Sequence, residues 1–286
     1  MENFQKKLLT IFLCVFLAFC TANCSKKNYN PYKSNLEFLK SNNNKFYDLN
    51  YPKLLEIFCN RTMSLPDGWK QLDLDGDNKP DFYTNKNSGF EATAFIKNKT
   101  ILIAIRGMNH RTVLNKDFFK DCDGYNAKEI LLGNLGIPVM GKVPGQFYDA
   151  ITFYNLINKK YPDYKIIITG KSLGGSLAEL VGAVSGADTY TFAAPGMAYA
   201  LPKLDPKYKL NIESNSRKGF KNIKNYYNLN DPCGNYGKHL GQSFVHPPIP
   251  VKKYVFYDIH GDISHFATQS GFDKIIPLPK DWKYQH

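Results

Sequence analysis

The residues best suited to chemistry in this sequence lie in Gly170-Lys171-Ser172-Leu173-Gly174-Gly175. A serine hydroxyl becomes a nucleophile only if the chain holds it in the open and a base takes its proton. The G-x-S-x-G spacing meets the first need. In such an elbow the serine occupies a strained backbone position, and the glycines let neighbouring chain approach without Cβ clashes. The amide of Leu173, at the start of the helix that would follow, has no acceptor within that helix and can face a developing oxyanion. The chemistry implied is acyl transfer through Ser172. The GKS tripeptide also suggests a phosphate loop, but that motif needs a glycine five residues before its GK glycine, and Lys165 stands there.

A serine of this kind needs a histidine, and the histidine needs a carboxylate to fix its tautomer. In an elbow-bearing sheet the chain order is Ser, Asp or Glu, then His, each at the C-terminal end of a strand. Asp231 fits as the first acidic residue to end a strand after the elbow, with Pro232 beside it; an Asx turn before proline is the plainer reading. Asp188 precedes its strand, and Glu213 lies in a polar stretch. Five histidines follow Ser172: His239, His246, His260, His265 and His286. His246 reads as part of a loop with no strand before it, and His286 is the last residue. His265, in the loop just past the last apolar run, is favoured over His260, which ends that run directly.

These residues need elements to hold them. Lys165 to Thr169 is a β-branched apolar run of the kind that makes a fully buried strand, and Leu173, Leu177, Leu180 and Val184 recur at helical spacing. Upstream, Tyr51 to Met63 reads as a short helix with Leu54, Leu55, Ile57 and Phe58 on the core. Glu91–Ile96 and Ile101–Arg106 read as a hairpin about Lys97-Asn98-Lys99. Its second strand runs into Gly107, and the amide of the loop after that strand suits a second oxyanion donor. Asn115 to Gly145 reads as an irregular lid or substrate wall. Gln146 to Tyr161 reads as an amphipathic helix stopped by Pro162, which gives a β-α-β arrangement and a parallel sheet. Asp188–Ala193, Ile223–Leu229 and Tyr254–Ile259 read as later strands, and Leu201 to Phe220 as a basic surface excursion.

The run Ile101–Gly107, then Tyr161-Pro162 to Ala178, Thr189–Gly196 and Asn228–Pro232, resembles the class 3 lipase family of α/β hydrolases. Members show an apolar strand into R-G-T, then T-G-H-S-L-G-G-A-L-A, a strand ending F-x-x-P, and N-x-x-D before a late histidine. The resemblance spans roughly residues 90–270. It implies an α/β-hydrolase fold with a mostly parallel sheet flanked by helices. It further implies Ser172 as nucleophile, Asp231 as acid, His265 as base, and the amides of Met108 and Leu173 as the oxyanion hole. Lys171 stands where the family has histidine, and Met108 where it has threonine or serine. The expected activity is a serine ester hydrolase acting on lipid esters, either triglyceride or, in a phospholipase A1-type reaction, phospholipid, and needing no cofactor. The alternative is a non-catalytic surface protein on a hydrolase scaffold that binds calcium.

That calcium reading rests on Asp73, Asp75, Asp77 and Asp81, carboxylates at alternate places of a tight loop. Gly76 sits at the fourth place, Pro80 intrudes and Thr84 holds the twelfth, so a polar hairpin turn between strands is the simpler expectation. Residues 1–24 read as an export signal: Lys6 and Lys7 precede an uncharged run from Leu8 to Cys20 that is too short to span a bilayer. Cleavage after Ala22 suits an ordinary signal peptide, while Cys20 and Cys24 each sit in an imperfect lipoprotein box. Residues 25–50 read as a polar tether and 51–286 as the hydrolase domain. Cys59, Cys122 and Cys233 remain, enough for one disulfide whose pairing stays open. A chain of 286 residues, 43% hydrophobic, can bury one substantial core. The net charge of +12 is scattered, which suits a solvated surface or a membrane or lipid surface, and no nucleic-acid partner is expected.

Overall fold

The computed structural model of the chain describes residues 50–60, 65–85, 88–107, 143, 145–229, 231, 233–246 and 276–277. The expectations for the export signal, the Tyr254–Ile259 strand, most of the tether and all of the Asn115–Gly145 lid but residues 143 and 145 fall outside them. Asn50, assigned to the tether, already begins the first helix.

The apolar run Thr100–Ile105 (β4) is buried on both faces: Ile101, Ile103 and Ile105 enter one apolar cluster, Leu102 and Ala104 the other. Lys165–Lys171 (β5) alternates in the same way, with Ile166 and Ile168 on the first face and Ile167 on the second. Continuous apolar sequence is what a strand covered on both sides requires. Strands β4, β5, Asp188–Phe192 (β6), Ile223–Asn228 (β7) and Gln242–His246 (β8) pair in parallel in that order. Phe90–Lys97 (β3) lies antiparallel beside β4, and the short Ile276–Pro277 (β9) antiparallel beside β8. This mostly parallel sheet flanked by helices is the α/β-hydrolase architecture.

Two helices cover the first face. Gly145–Lys160 (α2) buries Phe147, Ala150, Ile151, Phe153 and Ile157. Leu173–Ser185 (α3) is buried from Leu173 through Val184, and the left-handed Gly186 caps it by donating its N–H to the Gly182 carbonyl at 2.9 Å. Asn50–Asn60 (α1) covers the other face with Tyr51, Leu54, Leu55 and Phe58, an i, i+3, i+4, i+7 stripe. Each such fully buried leucine contributes about 1.5–3 kcal/mol of transfer free energy.

The 201–220 stretch lies mostly at the surface, and it is ordered there: two 3-10 turns, Ala198–Lys203 and Pro206–Tyr208, lead into a helix, Lys209–Arg217 (α4), with Asn215 Nδ2 donating to the Ala183 carbonyl at 2.9 Å. Two expectations are corrected. The Asp73–Asp81 loop is not a hairpin turn. Its flanking strands, Lys70–Gln71 (β1) and Tyr83–Asn85 (β2), both pair antiparallel with β3. The loop is therefore an outpouching of one edge line, pinched at its base by Asp81 N–H to the Leu72 carbonyl at 3.1 Å. Finally, His246 is preceded by a strand, since it is the last residue of β8 and pairs with Asn228.

Candidate active site

Ser172 stands between β5 and α3 with φ 54° and ψ −127°. A non-glycine residue there stores about 1–3 kcal/mol and persists only where its surroundings enforce it. Here its N–H donates to the Phe192 carbonyl of β6 at 3.0 Å, and its carbonyl accepts from Ser176 N–H at 3.0 Å. The side chain is half-buried, turned neither into the core nor fully to water. Leu173, first residue of α3, presents a helix N-terminal amide beside it.

The end of β4 is pressed against this turn. A Cβ on Gly107 would lie 2.8 Å from the Lys171 carbonyl oxygen and 3.3 Å from Ser172 Cβ. A Cβ on Gly174 would lie 2.2 Å from the Ile105 oxygen and 2.6 Å from that of Arg106. Only glycine allows the two backbones this approach. Arg106 is itself held by Glu91, with Nη1 to Oε2 at 2.7 Å and both side chains mostly buried, and its amide donates to the Glu91 carbonyl at 3.0 Å. Met108, the expected second oxyanion donor, lies outside the described residues, as do His260 and His265.

Asp231 follows β7, two strands from the elbow in the order β5-β6-β7. With strands about 4.8 Å apart, roughly 10 Å separates the two strands, a gap an imidazole can bridge. Asp231 is fully buried. Its N–H donates to the Asn228 carbonyl at 3.0 Å, Cys233 N–H donates to its Oδ1 at 2.9 Å, and Asn235 Nδ2 donates to its carbonyl at 2.6 Å. Ser172 and Asp231 thus share the C-terminal edge of the parallel strands. Cys233 is buried beside it.

Two residues in this region had no role in the sequence reading. Glu179 of α3 is fully buried; its Oε1 accepts from Met197 N–H at 3.2 Å and Leu240 N–H at 2.5 Å, and its Oε2 lies 3.2 Å from His239 Nδ1. His239 Nε2 lies 2.9 Å from the Gly234 carbonyl oxygen. Lys171 is buried at the last position of β5, opposite Phe192.

Apart from this edge, Asp73, Asp75 and Asp81 place carboxylate oxygens within 4.8 Å of one another, close enough to share a cation; Asp77 does not join them. The same carboxylates accept from loop amides: Asp73 from Gly76 at 2.6 Å and Asn78 at 2.8 Å, Asp75 from Asp77 at 3.0 Å, and Asp81 from Leu74 and Asp75. These bonds, that of Gly76 foremost, hold the Asp73 carboxyl below the usual range.

The parallel sheet, the elbow between β5 and α3 and the buried acid after β7 define an α/β hydrolase. Residues 102–205 match the Lipase (class 3) family model. A putative lipase ATG15 of Mycosarcoma maydis is 34% identical over 123 residues, 36% of this chain and 24% of that protein. The putative lipase ATG15 of Saccharomyces cerevisiae (strain ATCC 204508 / S288c) is 44% identical over 52 residues, 18% of this chain and 10% of that one. The chain thus spans about a quarter of the first of these relatives. Among solved structures, the Rhizomucor miehei lipase propeptide complex has a TM-score of 0.41 at 17% identity, covering 74% of this chain and 68% of that one. A triacylglycerol lipase from Penicillium expansum has a TM-score of 0.39 at 12% identity, covering 69% and 77%.

Proposed function

We propose that this protein is an exported serine carboxylic-ester hydrolase of lipase type. One observation carries the proposal: Ser172 is held at a strained positive φ on the β5–α3 elbow, with Gly107 packed against it. Strain of this kind at a strand-to-helix turn has a use when the side chain must stand free to attack. In the proposed reaction Ser172 Oγ bonds to the ester carbonyl carbon while its proton passes to His265, and the oxyanion is met by the amides of Leu173 and Met108. The carbon–alkoxide bond then breaks, and the alcohol leaves with the proton from His265. Water, deprotonated by the same base, hydrolyses the acyl-enzyme and frees Ser172, while Asp231 orients the imidazole throughout. This chemistry needs no cofactor.

A lipid ester is the proposed substrate class, with phospholipid preferred to neutral glyceride because the chain carries a net charge of +12. Labelling with a fluorophosphonate tests the nucleophile: wild type should be modified and Ser172→Ala should not. Folded wild type that resists the label would sink the reading. Turnover of phospholipid, triglyceride and p-nitrophenyl esters of graded chain length then assigns the substrate.

A further inference from the structure

Glu179 and His239 form a buried pair 60 residues apart in sequence, and both acceptors facing the imidazole are oxygens. A carboxylate oxygen faces Nδ1 and a backbone carbonyl faces Nε2. The carbonyl can only accept, and so can the carboxylate when ionised, so beside an ionised Glu179 both contacts are satisfied only if both ring nitrogens carry protons. Glu179 Oε1 already accepts two amides, from Met197 and Leu240, which favours the ionised carboxylate and leaves the proton on the ring. The Tyr227 ring stacks on the imidazole with centroids 5.0 Å apart and planes 16° apart, a suitable face for a cation.

The pair joins the two halves of the candidate site. Glu179 belongs to α3, the helix that begins at the Ser172 elbow. Gly234, which receives the Nε2 bond, lies in the loop of Asp231: a Cβ there would sit 3.1 Å from Asp231 Oδ2. Met197 and Leu240 bring in the segment after β6 and the approach to β8. We propose that His239 is a positioning residue: as an imidazolium bonded to Glu179 and to the Gly234 carbonyl, it fixes the Asp231 loop to the nucleophile helix. The proposal rests on the hydrolase reading for its effect on turnover, though not for the clamp itself.

The charge state has a pH consequence. Burial by itself lowers the His239 pKa, but the Glu179 carboxylate, its hydrogen bond and the Gly234 carbonyl outweigh it, and the net direction is upward. The folded value therefore lies above the ordinary one of about 6.5. The clamp is complete below that ordinary value and is lost as pH rises through the folded one. Other titratable groups beside the pair are Tyr227 of β7, stacked on the imidazole, and Tyr199 in the 3-10 turn after β6, while Asp231 and Tyr236 belong to the loop that carries Gly234. The Tyr199 hydroxyl is pushed up by burial, then by Tyr236 and Glu179.

The test uses the full chain. Nitrogen-edited NMR of wild type at about pH 7.5 should show His239 with protons on both ring nitrogens, while an ordinary histidine at that pH is neutral. A single-proton His239 overturns the proposal whether or not the protein turns over ester, and the Ser172 label reports the hydrolase reading separately. In kinetics, Glu179→Gln should lower kcat about 10- to 100-fold with KM within about twofold, because the acid is displaced and the binding surface is not. It should also move the alkaline limb of the kcat profile to lower pH. Folded Glu179→Gln with wild-type kcat and an unmoved alkaline limb overturns the positioning role.

Discussion

Replacing Gly174 by alanine perturbs the contact on which the site geometry depends most. The added Cβ would lie 2.2 Å from the Ile105 oxygen and 2.6 Å from that of Arg106, and both atoms are backbone, so no rotamer relieves them. To regain an ordinary separation of about 3.4 Å, α3 and the end of β4 must part by more than 1 Å. Overpacking of this order costs about 1–3 kcal/mol, offset by up to about 1 kcal/mol from alanine's better helix propensity. The melting temperature should fall by a few degrees, since 1 kcal/mol corresponds to about 2–4 °C in a domain of this size. The effect on rate is larger. The displaced segments carry the proposed Leu173 and Met108 amides, and misplacing reacting groups by about 1 Å costs on the order of 100-fold in kcat. Ester turnover and a thermal melt on the same preparation measure both. Gly145→Ala is the control, because nothing lies within 4 Å of a Cβ there; its kcat should be unchanged. A folded Gly174→Ala with kcat within about threefold of wild type would refute the reasoning.

The remaining expectations concern the ion pair, the acidic loop and the base. Glu91→Ala should cost about 2–3 kcal/mol in urea unfolding, because it removes a carboxylate bonded at 2.7 Å to the mostly buried Arg106 charge; a loss under about 0.5 kcal/mol would show a solvated pair. The Asp73 carboxyl is held below its ordinary value, so its support of the 73–81 loop is complete above that value and is lost as pH falls through the folded one. Protection of the Gly76 and Asn78 amides against exchange should fall in acid, and in Asp73→Asn it should be low at every pH; wild-type protection that persists in the variant contradicts this. A structural calcium ion held by Asp73, Asp75 and Asp81 predicts a melt raised by about 1 mM calcium in wild type and not in Asp81→Asn. No rise leaves the loop a turn capped by its own carboxylates. His265→Ala should abolish turnover while His260→Ala and His246→Ala retain it, and the reverse result for either moves the base.

The elbow was legible because three local signals agree on it: a β-branched run through Thr169, glycines flanking Ser172, and leucines at helical spacing from Leu173. Asp231 was legible by its position at the end of the apolar run from Ile223. Strand β8 was not. Gln242-Ser243-Phe244-Val245-His246 has two apolar residues in five and stops at prolines, so its pairing with β7 supplies what its sequence lacks. The outpouched edge was hidden for a related reason, since two-residue β1 is too short to show a period and its carboxylate-rich insertion reads as a turn. Glu179 and His239 carry no local pattern: one is a polar position within a helix, the other a loop residue, and their partnership exists only once β6 and β7 have brought the two segments together.

The two sides of the candidate site are therefore held by different physics. On the β4 side, Gly107 and Gly174 let backbone meet backbone, and the position of the proposed oxyanion donors is set by steric contact that pH and salt do not alter. On the β7 side, the Asp231 loop is held by hydrogen bonds and by a buried charge on His239, which deprotonation can remove. Damage on the first side should lower kcat equally at all pH values, whereas damage on the second should reshape the pH profile. Gly174→Ala and Glu179→Gln lie on the same helix, within two turns of Ser172. A difference in the shape of their pH profiles would separate steric from electrostatic positioning.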